Sequence, residues 1–185
     1  MKVKPTSKAG QVVVQLDRLD DHLLDESVKQ AAAAPFRLKR ILVPIDFSAR
    51  SRRALSYALR FAGQFGAQLL LVHVVEPMVV PENMLLAVPE LPEAGRGLVN
   101  DAQQRLDQLA RKEIPAEIKI HTTVRVGRPY HEIIETAQAE DVDLIIIATH
   151  GYTGLKHVFL GSTAERVVRH ASCPVLTVRE PERAP

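Results

Sequence analysis

Residues 144–147 form a continuous apolar run, Leu-Ile-Ile-Ile, which is too short for a separate helix. Its β-branched residues are typical of a strand that is buried on both faces, as in a parallel sheet. Glycines follow at positions 151 and 154, and helical spacing of apolar residues begins behind Gly161. Glycines let the backbone approach a ligand, and the first N–H groups of a helix attract anions. The order of strand, glycine loop and helix therefore predicts a phosphate-binding loop.

A plainer interpretation of the same stretch is that the glycines only shape a turn. Ser162 is followed three residues later by Glu165, which matches a capping box and predicts Ser162 as the helix N-cap. Neither common phosphate fingerprint is present, since no G-x-x-x-x-G-K-[ST] occurs and Gly95-x-Gly97 follows no predicted strand. Both interpretations of this stretch remain open at the level of the residue pattern.

Four further segments are predicted as strands: residues 40–46, 68–75, 118–126 and 175–178. Residues 118–126 alternate apolar and polar side chains, which indicates a half-buried strand at a sheet edge. Helical patterns lie between the strands. Ser48 is a suitable N-cap for the first, the second covers residues 98–113, and Gly127-Arg128-Pro129 opens the third. Alternation of strands and helices predicts an α/β fold, with a parallel sheet between two helical layers.

Two motifs stand out in this part of the chain. The first is Thr149-His150-Gly151 with Gly161-Ser162 ten positions after Gly151, and the second is Ser172-Cys173-Pro174-Val175-Leu176. Together they resemble the universal stress proteins, specifically their ATP-binding branch. That branch carries a G-x2-G-x9-G-[ST] loop. Gly151, Gly161 and Ser162 match its last three positions, whereas Ala148 stands at the first. The resemblance predicts a nucleotide-binding domain over residues 37–181 and an N-terminal extension over residues 1–36.

The resemblance implies a doubly wound five-stranded parallel sheet in the order 3-2-1-4-5, with helices on both faces. The ligand cleft of such a sheet lies beyond the carboxyl ends of the first and fourth strands, where the strand order reverses. Asp46 and Thr149 end those strands here. Without the resemblance, Asp46 would be interpreted as a capping or turn carboxylate.

The resemblance also assigns roles in that cleft. Pro44 and Asp46 would flank the adenosine, and the backbone of Val74 would recognise the adenine edge. Gly151 and Gly161 would let the backbone approach the phosphates, and Ser162 and Thr163 would add hydroxyl and N–H groups. The implied cofactor is ATP, with AMP or ADP as alternatives, and Mg²⁺ or Mn²⁺ would be held mainly by the phosphates.

The function predicted from these features is that of an ATP-binding, nucleotide-responsive regulatory or stress-resistance protein. The alternative is a dimeric interaction protein of the same fold that binds no nucleotide, which the alanine at position 148 allows. A homodimer is expected through the last strand, at Val175, Leu176 and Val178, because an open apolar edge recruits other strands. An efficient enzyme is weakly supported, since no Ser/His/Asp set or metal-ligand spacing is evident, so at most slow ATP hydrolysis is expected.

Composition bears on the partners, the location and the cysteine chemistry expected for this chain. A formal charge of +2, 4% aromatic residues and the absence of Trp argue against nucleic-acid binding. The amino terminus lacks a long apolar run, so neither a signal peptide nor a membrane span is expected, and a cytoplasmic location is predicted. Cys173 is the only cysteine. It cannot form an internal disulfide, and a small buried apolar role is expected for it.

Two segments stay without an assigned function. In the extension, the first ten residues are interpreted as a loose tail, residues 12–16 as a short strand and residues 23–34 as helix-forming. The extension is expected to be dispensable for folding. Residues 76–97 form a long connection rich in proline and apolar side chains, which could cover the ligand, the core or a dimer partner.

Overall fold

The computed structural model describes residues 2–5, 12–15, 37–77, 91–149 and 161–179. The chain divides into two compact units, Met1–Arg37 and Leu38–Pro185. In the first unit, strands β1 (Lys2–Pro5) and β2 (Val12–Gln15) pair antiparallel. The predicted short strand at residues 12–16 is confirmed, but the prediction that the first ten residues form a loose tail is wrong at Lys2–Pro5. Four-residue strands give too short a pattern to be recognised from sequence.

Within the described residues, the second unit contains five strands and four helices in alternating order. They are β3 (Arg40–Pro44), α1 (Ala49–Phe65), β4 (Gln68–Val75), α2 (Leu91–Glu113), β5 (Ile120–Val126), α3 (Pro129–Ala139), β6 (Leu144–Ala148), α4 (Ser162–His170) and β7 (Val175–Val178). The strands form one parallel sheet in the order β5-β4-β3-β6-β7. This is the predicted doubly wound order, so the predicted fold class is confirmed.

Two apolar cores lie on opposite faces of the sheet. On one face, Leu55 of α1 and Leu106 of α2 pack against alternate residues of the inner strands, such as Ile41 and Ile146. On the other face, helices α3 and α4 contribute Ile133 and Val167, which pack with Leu42 and Ile145 among others. Because both faces are covered, β3 and β6 are buried almost throughout, which explains their continuous apolar sequences.

Strand β5 is an outer strand of the sheet, as its alternating pattern predicts. A small polar network fixes it to α2. The hydroxyl of Thr122 donates to Asp107 Oδ1 at 2.6 Å, and the Gln103 amide donates both to that carboxylate (2.9 Å) and to the Thr122 hydroxyl (3.0 Å). Thr122 therefore links the edge strand to its covering helix by side-chain hydrogen bonds.

The amino edge of the sheet is held by Asp143. Its Oδ2 accepts hydrogen bonds from the backbone N–H groups of Lys39 (2.7 Å) and Arg40 (2.9 Å). This carboxylate thus ties the start of β6 to the start of β3. Cys173 lies near this edge, and burial raises the pKa of its thiol, with the negative charge of Asp143 adding a smaller effect. The raised pKa favours the protonated thiol, which is half-buried and packs with apolar residues.

Helix α2 differs from its predicted bounds. It begins at Leu91, seven residues before the predicted start, so part of the supposed connection 76–97 is helical. Pro92 is tolerated because N–H groups in the first helical turn have no helical partner to lose. Gly95 and Gly97 each cost about 1 kcal/mol relative to alanine without ending the helix. Residues 78–90 of the connection and the predicted helix at residues 23–34 lie outside the described residues.

No helix in the described ranges combines the length and the apolar character that a membrane span requires.

Candidate functional site

The carboxyl ends of β3 and β6 meet at one edge of the sheet. The two strands are parallel neighbours, with Ile41 paired to Leu144 and Leu42 to Ile145. The chain leaves β3 toward β4 on one side and leaves β6 toward β7 on the other. Connections that diverge in this way open a crevice above the sheet, where ligands of doubly wound proteins bind. Asp46 and Thr149 follow the two strands at this crevice.

Thr149 joins three elements at the crevice. It is buried, and its backbone N–H donates to Val178 O at the end of β7 (3.1 Å). Its carbonyl accepts a hydrogen bond of 2.6 Å from the N–H of Gly161. Residues 149 and 161 therefore close the base of the glycine loop and bring the N-terminus of α4 to the end of β6. Gly151, predicted to contact phosphate, lies outside the described residues.

The N-terminus of α4 differs from the predicted capping box. Gly161 is the N-cap, with φ −67° and ψ 152°, and Ser162 is the first helical residue. The prediction that Ser162 caps the helix is wrong by one position, and no side chain caps the first turn. Glycine ranks among the accepted N-cap residues, so the cap can fall there. The hydroxyl of Ser162 is consequently not engaged in capping, and Thr163 beside it is half-buried.

Asp46 lies in the turn between β3 and α1. Its Oδ1 accepts a hydrogen bond from the N–H of Ser48 (3.0 Å), and the Ser48 hydroxyl accepts from the N–H of Ser51 (3.2 Å) as the N-cap of α1. The predicted cap at Ser48 is confirmed. Pro44 is the last residue of β3, where its missing N–H costs the ladder little. The turn function of Asp46 is the one expected without any family resemblance.

Val74 lies near the end of β4, and two neighbours of this region escaped sequence prediction. Phe47 adopts φ 63°, a left-handed conformation that is rare for a large side chain. Its ring packs against His73 at 4.6 Å between centroids, and the Arg105 guanidinium lies 4.3 Å from its centroid on the ring face. His73 Nδ1 is 2.7 Å from Ile45 O.

A third group, at the start of α3, also escaped prediction. The side chains of His131, Glu132 and Glu135 each place a potential metal-ligand atom within 4.8 Å of the other two. The signal was present as H-E-I-I-E, in which His131 and Glu135 are four residues apart on a helix. The expectation that no metal-ligand spacing is evident therefore missed this combination of a histidine with a carboxylate.

Comparison with known proteins identifies close relatives. The family model described as "Universal stress protein family" matches residues 37–179. Universal stress protein MJ0531 of Methanocaldococcus jannaschii is 36% identical over 145 residues, which cover 78% of this chain and 84% of the relative. The solved structure of MJ0577, a universal stress protein of the same organism, is 31% identical with a TM-score of 0.68. That match covers 80% of this chain and all of MJ0577.

A further solved structure shares the fold at lower identity. It is a universal stress protein in complex with cAMP, which is 21% identical with a TM-score of 0.56. The match covers 78% of this chain and 98% of the other chain.

Proposed function

The chain belongs to the universal stress protein family, and on this basis we propose that it binds ATP in the crevice where β3 and β6 end. In this proposal the protein is a nucleotide-responsive regulatory or stress-resistance protein. The N-terminus of α4 holds the phosphates, and the ends of β3 and β4 hold the adenosine. The cAMP complex of a protein with the same fold supports an adenine nucleotide as the ligand class.

The observation that carries this proposal is the hydrogen bond between the Gly161 N–H and the Thr149 carbonyl. It places the first turn of α4 beside the end of β6, inside the crevice. The N-cap residue has no side chain, so the N–H groups of the first turn are left for an anion. Ser162 and Thr163 add two hydroxyl groups at the same place. Phosphate oxygens are acceptors that suit this set of donors.

The adenosine would lie toward β4, between Pro44 and the backbone of Val74. Asp46 would accept a hydrogen bond from the ribose or the adenine. A carboxylate can accept several hydrogen bonds at once, so this role is compatible with its bond to the Ser48 N–H. Asp46 is the only acidic residue among the described residues that the proposal assigns to this site. A Mg²⁺ or Mn²⁺ ion would therefore be held mainly by phosphate oxygens and water, as such hard cations prefer.

Calorimetric titration of ATP into the full-length protein, with MgCl₂ or MnCl₂ present, tests the proposal. One ATP per chain is expected, and ADP and AMP should bind more weakly because they offer fewer phosphate oxygens to α4. Denaturing the purified protein should also release adenine nucleotide that co-purified with it, which chromatography of the supernatant would detect. Absence of both binding heat and released nucleotide would contradict the proposal.

The second candidate is a dimeric interaction protein of the same fold without a nucleotide. The observation that favours it is Ala148, the last residue of β6, which is 9% exposed. Its methyl group stands where the ATP-binding loop would begin with glycine, and it could hinder the approach of backbone to phosphate. The same titration separates the two candidates, because only the first predicts saturable binding.

Both candidates include a homodimer through β7. Within the described residues β7 is the outermost strand on its side of the sheet. Ile145 N–H donates to Pro174 O and Thr149 N–H to Val178 O, so residues 174 and 178 face β6. By alternation, the backbone groups of Val175 and Thr177 face outward. The side chains of Val175 and Leu176 are half-buried and that of Val178 is buried, so they offer little free apolar surface to a partner. Backbone hydrogen bonds between the β7 strands of the two subunits would therefore hold the dimer together.

We predict that Thr177→Pro converts the dimer into a monomer. The proline removes an outward N–H while leaving the hydrogen bonds between β6 and β7 in place. The matched control is Val126→Pro on the opposite edge, where alternation also turns the N–H away from the sheet, and this variant should stay dimeric. Sedimentation velocity at micromolar concentration measures both. A dimeric Thr177→Pro protein, or a monomeric wild type, would contradict pairing through β7.

A further inference from the structure

The group formed by His131, Glu132 and Glu135 at the start of α3 has the composition of a metal site. His131 Nδ1 lies 3.6 Å from Glu132 Oε1, and His131 Nε2 lies 3.5 Å from Glu135 Oε1. It is the one such cluster found in the described part of the chain. Since α3 follows the edge strand β5, the group belongs to a different strand–helix unit from the crevice residues of β3 and β6.

The helix itself brings the three side chains together. Residues four apart lie on one helical face, so His131 and Glu135 are neighbours on the exposed side of α3. Ile133, Thr136 and Ala137 occupy the buried side and fix the rotation of the helix on the sheet. The pair is thus presented to solvent by an element whose orientation is set by the core.

Glu132 is the least exposed of the three side chains. Its side chain is only 17% exposed and lies directly against Gly127. A Cβ atom on residue 127 would come within 2.8 Å of Glu132 Cδ and 2.9 Å of Cγ, and still closer to Oε1. The missing side chain of Gly127 therefore makes the room in which the Glu132 carboxylate lies. Glu132 also occupies the first turn of α3.

The distances suit a shared ion. Two ligands of a tetrahedral Zn²⁺ with bonds of about 2.0–2.2 Å lie about 3.4 Å apart. The two nitrogen–oxygen distances in the group are close to this value, although they involve different nitrogens of the ring. Only one nitrogen can hold a given ion, so the carboxylate on the other side must shorten its distance by a side-chain rotation. The Glu135 carboxylate can rotate because it is exposed to solvent, and the Glu132 carboxylate can rotate in the space beside Gly127.

We propose that His131, Glu132 and Glu135 bind one divalent transition-metal ion, of which Zn²⁺ is the reference case. Two carboxylates and a neutral imidazole neutralise the ion and leave one or more positions for water. The imidazole selects first-row transition metals over Mg²⁺ and Ca²⁺, which prefer all-oxygen sites. The three residues are none of those assigned to the proposed ATP site, and the bound ion would link the first turns of α3 beside Gly127.

Calorimetric titration of ZnCl₂ into the full-length, untagged, chelator-treated protein without nucleotide tests the site. Saturable binding is expected, with one ion per chain assigned to this group. His131→Ala and Glu135→Gln should each weaken that binding by about tenfold or more. Titration of MgCl₂ at the same concentration should give no heat of binding. Co²⁺ in place of Zn²⁺ should show visible absorption bands that disappear in His131→Ala.

Two further variants separate a built site from ordinary surface charge. Gly127→Ala removes no ligand but displaces the Glu132 carboxylate, so it should also lower the affinity, by roughly tenfold. His170→Ala, an exposed histidine on α4 outside the cluster, should leave the affinity unchanged. Circular dichroism confirms that each variant is folded. If wild type gives no saturable binding, or if His131→Ala binds Zn²⁺ as tightly as wild type, the three residues form only a surface ion-pair cluster and the proposal is wrong.

Discussion

Replacing Gly161 with valine is expected to lower the affinity for ATP by about a hundredfold or more, which corresponds to roughly 2.7 kcal/mol of binding free energy. The reason is obstruction, because a branched side chain would project where the phosphates approach the first turn of α4. Gly161 has φ −67°, a conformation that valine adopts without strain. The variant is therefore expected to fold, and a loss of binding would report on the crevice itself. Calorimetric titration with ATP measures the effect.

Ser162→Ala is the matched control for this variant. Ser162 is the first helical residue and does not cap α4, so its replacement removes one hydroxyl contact and no capping bond. A loss of about 1 kcal/mol, or roughly fivefold in affinity, is expected. The helix N–H groups remain in both variants. If folded Gly161→Val binds ATP as tightly as wild type, the phosphates do not approach the backbone at this residue.

Asp143→Ala is expected to have the largest effect on stability, lowering the free energy of unfolding by about 2–4 kcal/mol. The substitution removes the acceptor for the N–H groups of both Lys39 and Arg40, and hydrogen bonds to a charged group are stronger than neutral ones. It also loosens the attachment of β6 to β3 at the amino edge of the sheet. Urea unfolding followed by circular dichroism, with unchanged slope, measures the loss.

The neighbouring carboxylate provides the control. Asp141 is 92% exposed and pairs with Arg40 at 3.6 Å, so its charge contributes little. Its φ of 45° favours Asp or Asn, which makes Asp141→Asn the suitable variant because the backbone preference is kept. The unfolding midpoint of Asp141→Asn should match wild type. Equal midpoints for Asp143→Ala and wild type would show that the two backbone hydrogen bonds contribute nothing to stability.

The residue pattern was sufficient to predict the strands of the sheet. The runs at residues 69–72 and 144–147 contain only apolar side chains that tolerate burial on both faces, whereas residues 118–126 alternate and were predicted to lie at an edge. The strand order followed from the family resemblance, and the bounds Gln68–Val75 and Val175–Val178 agree with prediction. These features are visible because burial acts on every residue of a strand.

Local conformation was less predictable. Whether Gly161 or Ser162 caps α4 depends on one pair of backbone dihedral angles, and both residue types are acceptable there. The left-handed conformation of Phe47 has no sequence signal, since it is maintained by contacts with His73 and Arg105 that form only in the fold. The same holds for Glu132, whose position depends on space left by Gly127. Single-residue geometry of this kind is decided by tertiary packing.

The pairing of β3 with β6 also has a consequence for the kinetics of folding. Arg40 pairs with Gln68 across β3 and β4, a short separation along the chain, whereas the Asp143 carboxylate reaches Arg40 across 103 residues. Contacts between distant residues close large loops and form slowly. The unit β3–α1–β4 can therefore assemble early, during synthesis, while β6 joins only after α3 has emerged. The crevice between β3 and β6 is then completed last, so a ligand that needs both strand ends would recognise only chains that have finished folding.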